Sequence, residues 1–242
     1  MRTLIAIPVY NEEAHLEWVL ARMVRFSPEI LAIDDGSTDS SAEILDAHPF
    51  VEVHHHDTNE GYGQSLIDAF RIAAHRRFEW IVTLDADEQH DPDSVGMFLE
   101  EAARGEADVL SGSRYHPESL RESNVPEERR SINVLITRIL NRTTPYDLTD
   151  AFCGFKAYRV AALAPLVLTE TGYGMPLQFW IQAARHGLRV RELPIKLVYV
   201  DPSRTFGGRM DDPRVRLRYY LDLLDKELAA CDAEKRAGEG GP

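Results

Sequence analysis

Two acidic clusters in this chain have the residue types and spacing to hold a hard cation. Asp34-Asp35 follows the apolar run Leu31-Ala32-Ile33, and Asp85-Ala86-Asp87-Glu88-Gln89 follows Ile81-Val82-Thr83-Leu84. Carboxylates at alternate positions, with a side-chain carbonyl two residues on, offer oxygen ligands of the kind that bind Mg²⁺ or Mn²⁺ together with substrate phosphates. Capping is the competing role, because Asp-rich turns also satisfy helix N-termini, although Asp91 before Pro92 is the better cap in this stretch. The run His54-His55-His56 invites a metal site too. Successive side chains of an extended segment point to opposite faces, so three adjacent histidines converge poorly on one ion, and a solvated strand end is expected. His90 is expected to support the acidic motif or the fold. Cys153 and Cys231 have no second thiol near them, which excludes a disulfide framework and a cysteine zinc site and fits a reducing cytoplasm.

A parallel sheet would bring both acidic clusters to one edge. Residues 3–7, 30–33, 50–53, 80–84 and 109–111 are short and rich in Val, Ile and Leu, as buried strands are. Between them lie helical patterns. Asn11 is expected to cap a helix with Glu12 and Glu13 in its first turn and Leu16, Val19, Leu20 and Met23 along one stripe. A second helix carries Leu66, Ile67, Phe70, Ala73 and Ala74, and a third starts at Asp91-Pro92 and runs towards Arg104. Such alternation implies βαβ units, an α/β sheet that is mostly parallel, and a ligand crevice at the carboxyl ends of its strands. The second half predicts a helix over 129–141, irregular chain over 147–158, a helix over 175–186 and strands over 190–193 and 195–200. Asp212-Pro213 then opens a last helix with Leu217, Tyr220, Leu221, Leu224 and Leu228 on one face. One domain over 1–230 is expected, with residues 231–242, glycine-rich towards the end, as a flexible tail.

The charge balance narrows the possible partners. With 27 basic against 40 acidic side chains the net charge is -13, a surface that repels a polyphosphate backbone, so nucleic-acid binding is disfavoured. No apolar run approaches the roughly 18 to 20 residues that span a bilayer, and the opening Leu4-Ile5-Ala6-Ile7 is too short for a signal-peptide core. A soluble or peripheral protein is expected.

Five motifs stand in register along the chain: Pro8-Val9-Tyr10-Asn11-Glu12, Asp34-Asp35-Gly36-Ser37-Thr38-Asp39, Asn59-Glu60-Gly61-Tyr62-Gly63, Asp85-Ala86-Asp87-Glu88-Gln89-His90 and Ser111-Gly112-Ser113-Arg114-Tyr115. In that order they resemble the family-2 glycosyltransferases of GT-A fold, and most of all the dolichol-phosphate mannosyltransferases and related polyprenyl-phosphate sugar synthases, over about residues 3–210. The resemblance implies a Rossmann-like sheet flanked by helices and transfer of one sugar from a nucleotide-diphosphate donor. It implies that Pro8, Tyr10, Glu12, Ile33 and Asp35 hold the nucleoside, although a core role for Tyr10 is the alternative. Asp85 and Ala86 would lie against ribose and sugar, and Asp87 and Gln89 would bind the Mg²⁺ or Mn²⁺ that bridges the diphosphate. Gly61 and Gly63 permit close backbone approach or serve a plain turn. Arg114 would neutralise a donor or acceptor phosphate, and Arg130 and Ser131, at a helix start, would hold the acceptor; a solvated basic run is the alternative there. Asp150-Ala151-Phe152-Cys153-Gly154-Phe155-Lys156 resembles the family's segment beneath the acceptor site, with Cys153 a small buried filler.

Two departures bear on mechanism. Gln178 stands where the family pattern places a carboxylate, and Gln cannot act as a base. Arg204 in Ser203-Arg204-Thr205-Phe206-Gly207-Gly208 stands one place early for a phosphate-binding lysine. A phosphate acceptor is anionic near neutral pH, with a second pKa of about 6, so it needs no base. The implied function is therefore metal-dependent, inverting transfer of a hexose from a GDP-mannose or UDP-glucose type donor to a phosphorylated acceptor, with polyprenyl phosphate favoured. A soluble acceptor and a non-catalytic nucleotide-sugar-binding module are the alternatives. Arg209, Arg214, Arg216 and Arg218 crowd the start of the last helix, where the macrodipole disfavours cations, so contact with an anionic membrane at its cytoplasmic face is expected.

Overall fold

The β-rich runs of the first half pair in parallel. β1 (Thr3–Val9) lies between β2 (Ile30–Asp34) and β4 (Trp80–Thr83), and β3 (Val51–His55) flanks β2. In the second half β5 (Val109–Ser113) runs parallel to β7 (Val190–Pro194), while β6 (Lys156–Arg159) is antiparallel between β4 and β5. The order is β3-β2-β1-β4-β6-β5-β7, a mostly parallel seven-stranded α/β sheet. The structure, a computed structural model, describes residues 1–27, 29–87, 91–119, 127–196 and 207–239.

The strands are continuously apolar because both of their faces are covered. Leu4 and Ala6 of β1, with Leu31 and Ile33 of β2, lie in the layer formed with α3 (Tyr62–His75), α5 (Glu127–Thr143), α6 (Val160–Leu163), α7 (Met175–Arg185) and α8 (Pro213–Glu239). Ile5, Ile7 and Val9, with Ile30 and Ala32, face α1 (Leu16–Met23), α2 (Ser41–Asp46) and α4 (Val95–Arg104). Each fully buried Leu, Ile or Phe contributes about 1.5–3 kcal/mol, so two such layers specify the register strongly.

The chain direction sets the crevice. From β1 the sheet grows outward through β2 to β3, then α3 carries the chain back to β4 on the other side of β1. The strand order therefore reverses between β1 and β4, and in such sheets ligands bind at the carboxyl ends flanking that point. Both acidic clusters leave the sheet there, after β2 and β4.

Several local expectations change. Asn11 does not cap α1. It sits at φ 56°, and its Oδ1 accepts from the backbone N–H of Thr38 at 2.8 Å and Asp39 at 3.3 Å. Its amide thus ties the first motif to the second, and α1 begins only at Leu16, after a turn that contains Glu12 and Glu13. Asp91 does accept from Asp93 N–H, at 3.0 Å, in a short 3-10 turn ahead of α4. The stretch 147–158 is not wholly irregular: its end is β6, hidden from the sequence by the buried charge of Lys156. Upstream of β6 the chain is pinned by Trp180, whose Nε1 donates to the Ala151 carbonyl at 2.8 Å, and by Asn141, which bonds both backbone groups of Leu148. Ile195 and Lys196 are not in a strand, and residues 197–200 lie outside the described ones. Asp212 caps the last helix by accepting from Arg214 N–H at 2.8 Å, and α8 continues to Glu239, into the segment expected as a tail.

Candidate active site

Beyond β4 the chain carries Asp85 and Asp87 out of the sheet, both half-buried. Leu84 N–H still bonds the Ala6 carbonyl at 3.3 Å, so the cluster starts just past the middle of β1. The hydroxyl of Tyr62, at the start of α3, donates to Asp85 Oδ1 at 3.1 Å. Burial, reinforced by the Asp85 charge, raises the Tyr62 hydroxyl well above its ordinary value, which keeps it a donor at neutral pH. Behind Asp85 lies Gly154, where a Cβ would collide with both carboxylate oxygens. Thr83 Oγ1 holds that glycine by donating to its carbonyl at 2.8 Å. Two adjacent hard carboxylates, one seated in a cradle that only glycine leaves open, fit a hard divalent cation. Gln89, His90 and Glu88 lie outside the described residues.

The second cluster is used differently. Asp35 is buried, and its Oδ1 accepts from Glu60 N–H at 2.7 Å and from His56 Nδ1 at 2.7 Å, while Oδ2 accepts from Gly61 N–H at 2.9 Å. Asp34 accepts from Ser37 N–H at 3.1 Å and from His55 Nδ1 at 2.8 Å. These carboxylates tie the Asp34–Asp39 and Asn59–Gly63 loops together. Gly61, at φ 106°, turns the chain against the Thr171 carbonyl, which a Cβ would strike, so the close approach is to backbone. Among the other nucleoside candidates, Tyr10 is exposed at the rim, Pro8 is partly buried, and Glu12 is buried with its N–H bonded to Ser41 Oγ at 2.8 Å. Ile33 and Ala86 correct the sequence expectation. At 0% and 1% exposure they pack in opposite core layers, so any ligand contact is left to their backbone.

On the far side of β6 stands a buried ion pair. Arg114 donates from Nε to Asp150 Oδ2 at 2.6 Å and from Nη2 to Oδ1 at 3.0 Å, and Asn133 Nδ2 adds a bond to Oδ1 at 2.8 Å. Burial raises the Asp150 carboxyl, but the Arg114 charge and these bonds outweigh it and bring it down to about 2. Glu192 secures the loop by accepting from the backbone N–H of Thr149 and Asp150. Arg114 and Arg130 both lie over the Tyr115 ring, at 5.7 and 6.0 Å, and Arg130 and Ser131 are exposed at the start of α5. Lys156 is buried with Nζ bonded to the Cys153 carbonyl, and burial lowers its pKa; it feels Asp150, Arg114 and Asp85 together. Cys153 is wholly buried and its thiol is pushed up to about 12, which makes it an inert filler.

Gln178 does not face this site. It is 2% exposed, its Oε1 accepts from Thr169 and Glu170 N–H at 2.7 and 2.9 Å, and its Nε2 donates to Glu227 Oε1 at 2.7 Å and Thr169 Oγ1 at 3.1 Å. A carboxylate here would meet Glu227 with no donor between them, which explains the amide. Arg204 lies outside the described residues. Arg216 is buried and donates to the Met210 carbonyl at 2.6 Å, so of the four arginines expected at a membrane only Arg209, Arg214 and Arg218 are exposed. The histidines also differ from expectation: His54 and His55 are exposed, but His56 is buried. Tyr62, Asp150 and Lys156, absent from the sequence-derived site, all belonged to quoted motifs. What was missing was their orientation.

Comparison with known proteins agrees with this fold. Residues 4–166 match the sequence profile of glycosyl transferase family 2. The chain is 34% identical to an undecaprenyl-phosphate mannosyltransferase of Micrococcus luteus, over 86% of this chain and 89% of that one. It is 30% identical to a polyprenol monophosphomannose synthase of Mycolicibacterium smegmatis, over 80% and 76% of the two chains. A crystal structure of S. aureus TarS 1-349 in complex with UDP-GlcNAc superposes with a TM-score of 0.55 at 19% identity, covering 88% of this chain and 61% of that one, a likeness of fold.

Proposed function

The chain belongs to glycosyl transferase family 2, and from that premise we propose that it moves one hexose from a GDP-mannose or UDP-glucose type donor to a polyprenyl phosphate. The placement of Asp85 and Asp87 at the strand-order reversal between β1 and β4 carries this proposal. A donor diphosphate approaches two carboxylates only when a cation intervenes. Mg²⁺ or Mn²⁺, held by Asp87 and Gln89, would supply charge neutralisation on the departing nucleoside diphosphate. Tyr62 and Gly154 fix Asp85 towards the sugar, while Tyr10, Pro8 and Glu12 flank the nucleoside.

The acceptor phosphate is its own nucleophile. One of its anionic oxygens attacks the anomeric carbon opposite the diphosphate, a new C–O bond forms as the old one breaks, and the configuration inverts. No proton has to leave, so a buried Gln178 costs the reaction nothing. Arg130 and Ser131 receive the phosphate at the start of α5. Arg114, with five N–H donors of which Asp150 accepts two through its side chain, adds positive charge beside them, and Arg204 is a further candidate phosphate-binding cation. Arg209, Arg214 and Arg218 would bring the enzyme, peripherally and from the cytoplasm, to an anionic lipid surface. Among the described residues no helix is long and apolar enough to cross a membrane.

The test is transfer by the purified chain to undecaprenyl phosphate against undecaprenol, from GDP-mannose and UDP-glucose, with Mg²⁺, Mn²⁺ or EDTA. Phosphate-dependent, EDTA-sensitive transfer with an inverted product supports the proposal. Preference for the alcohol or a soluble sugar overturns the acceptor, and full activity in EDTA overturns the metal.

A further inference from the structure

β3 ends in His54 and His55, with His56 just beyond it, and the fold divides the three. His55 turns to Asp34 and, at 3.2 Å, to Asp46. His54 and His56, two residues apart, share the opposite face, with rings edge-on at 5.4 Å. The sequence argument that three adjacent histidines do not converge thus holds, while His56 is buried and not solvated as expected. The second turn of α3 brings Asp68 to them: His56 Nε2 is 3.4 Å from Asp68 Oδ2, and one ligand atom from each of His54, His56 and Asp68 lies within 4.8 Å of the others.

His56 makes this more than a cluster. It is 8% exposed, and its Nε2 is buried with no hydrogen-bond partner among the described residues. Its Nδ1 faces Asp35 Oδ1 at 2.7 Å. A carboxylate only accepts, so Nδ1 donates to Asp35 and Nε2 is the ring nitrogen left facing Asp68. A carboxylate behind a histidine whose other nitrogen points at further ligands is the arrangement that orients metal-bound imidazoles. A tetrahedral ion about 2.1 Å from its ligands separates them by about 3.4 Å, the spacing found between His56 and Asp68. Asp68 also accepts from Gln64 Nε2 at 2.6 Å on Oδ2 and from Arg71 Nη1 at 3.0 Å on Oδ1, which leaves each oxygen a second lone pair.

We propose that His54, His56 and Asp68 form a transition-metal site of the Zn²⁺ class, separate from the hard-cation cluster at Asp85 and Asp87. Two imidazoles and one carboxylate select Zn²⁺ or Co²⁺ over Mg²⁺, and three protein ligands leave a fourth position open. Because Asp35 holds both His56 and the N–H groups of Glu60 and Gly61, metal here would fasten the donor-side loops to α3.

The experiment is Zn²⁺ calorimetry and Co²⁺ visible absorption on the full chain carrying Asp87→Ala, which removes a ligand of the other cluster. One Zn²⁺ per chain, a rise in melting temperature and the strong bands of tetrahedral Co²⁺ are expected. Adding His54→Ala or Asp68→Asn, both at the accessible side of the site, should weaken Zn²⁺ at least tenfold and abolish the bands, with circular dichroism unchanged. Affinity within twofold of the parent in both variants, or weak octahedral Co²⁺ bands, overturns the site.

Discussion

The two flanks of the crevice solve the same electrostatic problem by different means. On the β2 side, proposed to face the donor, Asp34 and Asp35 are buried carboxylates satisfied by backbone N–H groups and two imidazoles. On the acceptor side, Asp150 is satisfied by a full opposite charge, the Arg114 guanidinium. Dipoles can be weakened one at a time, so the donor loops should loosen gradually. A buried ion pair cannot lose one member without leaving the other uncompensated, so the acceptor side should fail as a unit.

The largest effect tests catalysis against both scaffolds. Asp87→Ala should lower transfer about 10⁴-fold, roughly 5 kcal/mol of barrier, while the chain stays folded, because the residue would hold the proposed cation. An unchanged rate in radiolabelled-sugar transfer would remove Asp87 from the chemistry.

Next comes the ion pair. Arg114→Ala should destabilise the fold by about 3–5 kcal/mol in urea titrations, and Arg114→Ala with Asp150→Ala should cost clearly less than the sum of the two single changes. Additive costs would mean that the pair is not coupled. Asp35→Asn, which keeps an acceptor but removes the charge, should cost only about 1.5–3 kcal/mol and raise the donor KM more than it lowers kcat. A collapse as large as that of Arg114→Ala would erase the contrast between the flanks.

Acid sharpens the contrast further. The folded Asp150 carboxyl lies at about 2, below its ordinary 3.8, so its contribution is complete above about pH 4 and is lost as pH falls towards 2. The shift corresponds to about 2 kcal/mol, and Asp150→Asn should flatten this part of the stability profile. The smallest effect is at Gln178. Gln178→Glu should place a second carboxylate beside Glu227, cost about 1–2 kcal/mol at pH 8 and less at pH 5, and restore no activity. A gain in rate would return a general base to the mechanism.

Much of the fold was legible because its strands are buried on both faces. Five apolar runs stood out as strands, with helices legible after the first, third, fourth and fifth, while α2 after the second went unanticipated. β6 was not legible: a strand holding a buried lysine breaks the apolar pattern on which such recognition rests. Site residues divided in the same way. Asp85 and Asp87 were visible from spacing and from their place after an apolar run. The neighbours Tyr62 and Asp150 sat in view without roles, since a motif names residues and not the direction of their side chains.

The sequence by itself determined which segments enter the sheet, where its loops emerge and which residue types reach the crevice, because periodicity and turn chemistry act within a few residues. The tertiary structure alone decided the partners. Asn11 could have capped its own helix but holds Thr38. Gln178 could have faced an acceptor but braces residues 169–170 and Glu227. His56 could have been solvated but lies between Asp35 and Asp68. Each choice joins groups 8 to 49 residues apart, and it is made by which buried polar atom would otherwise lack a partner, a cost that exists only once the layers have closed around it.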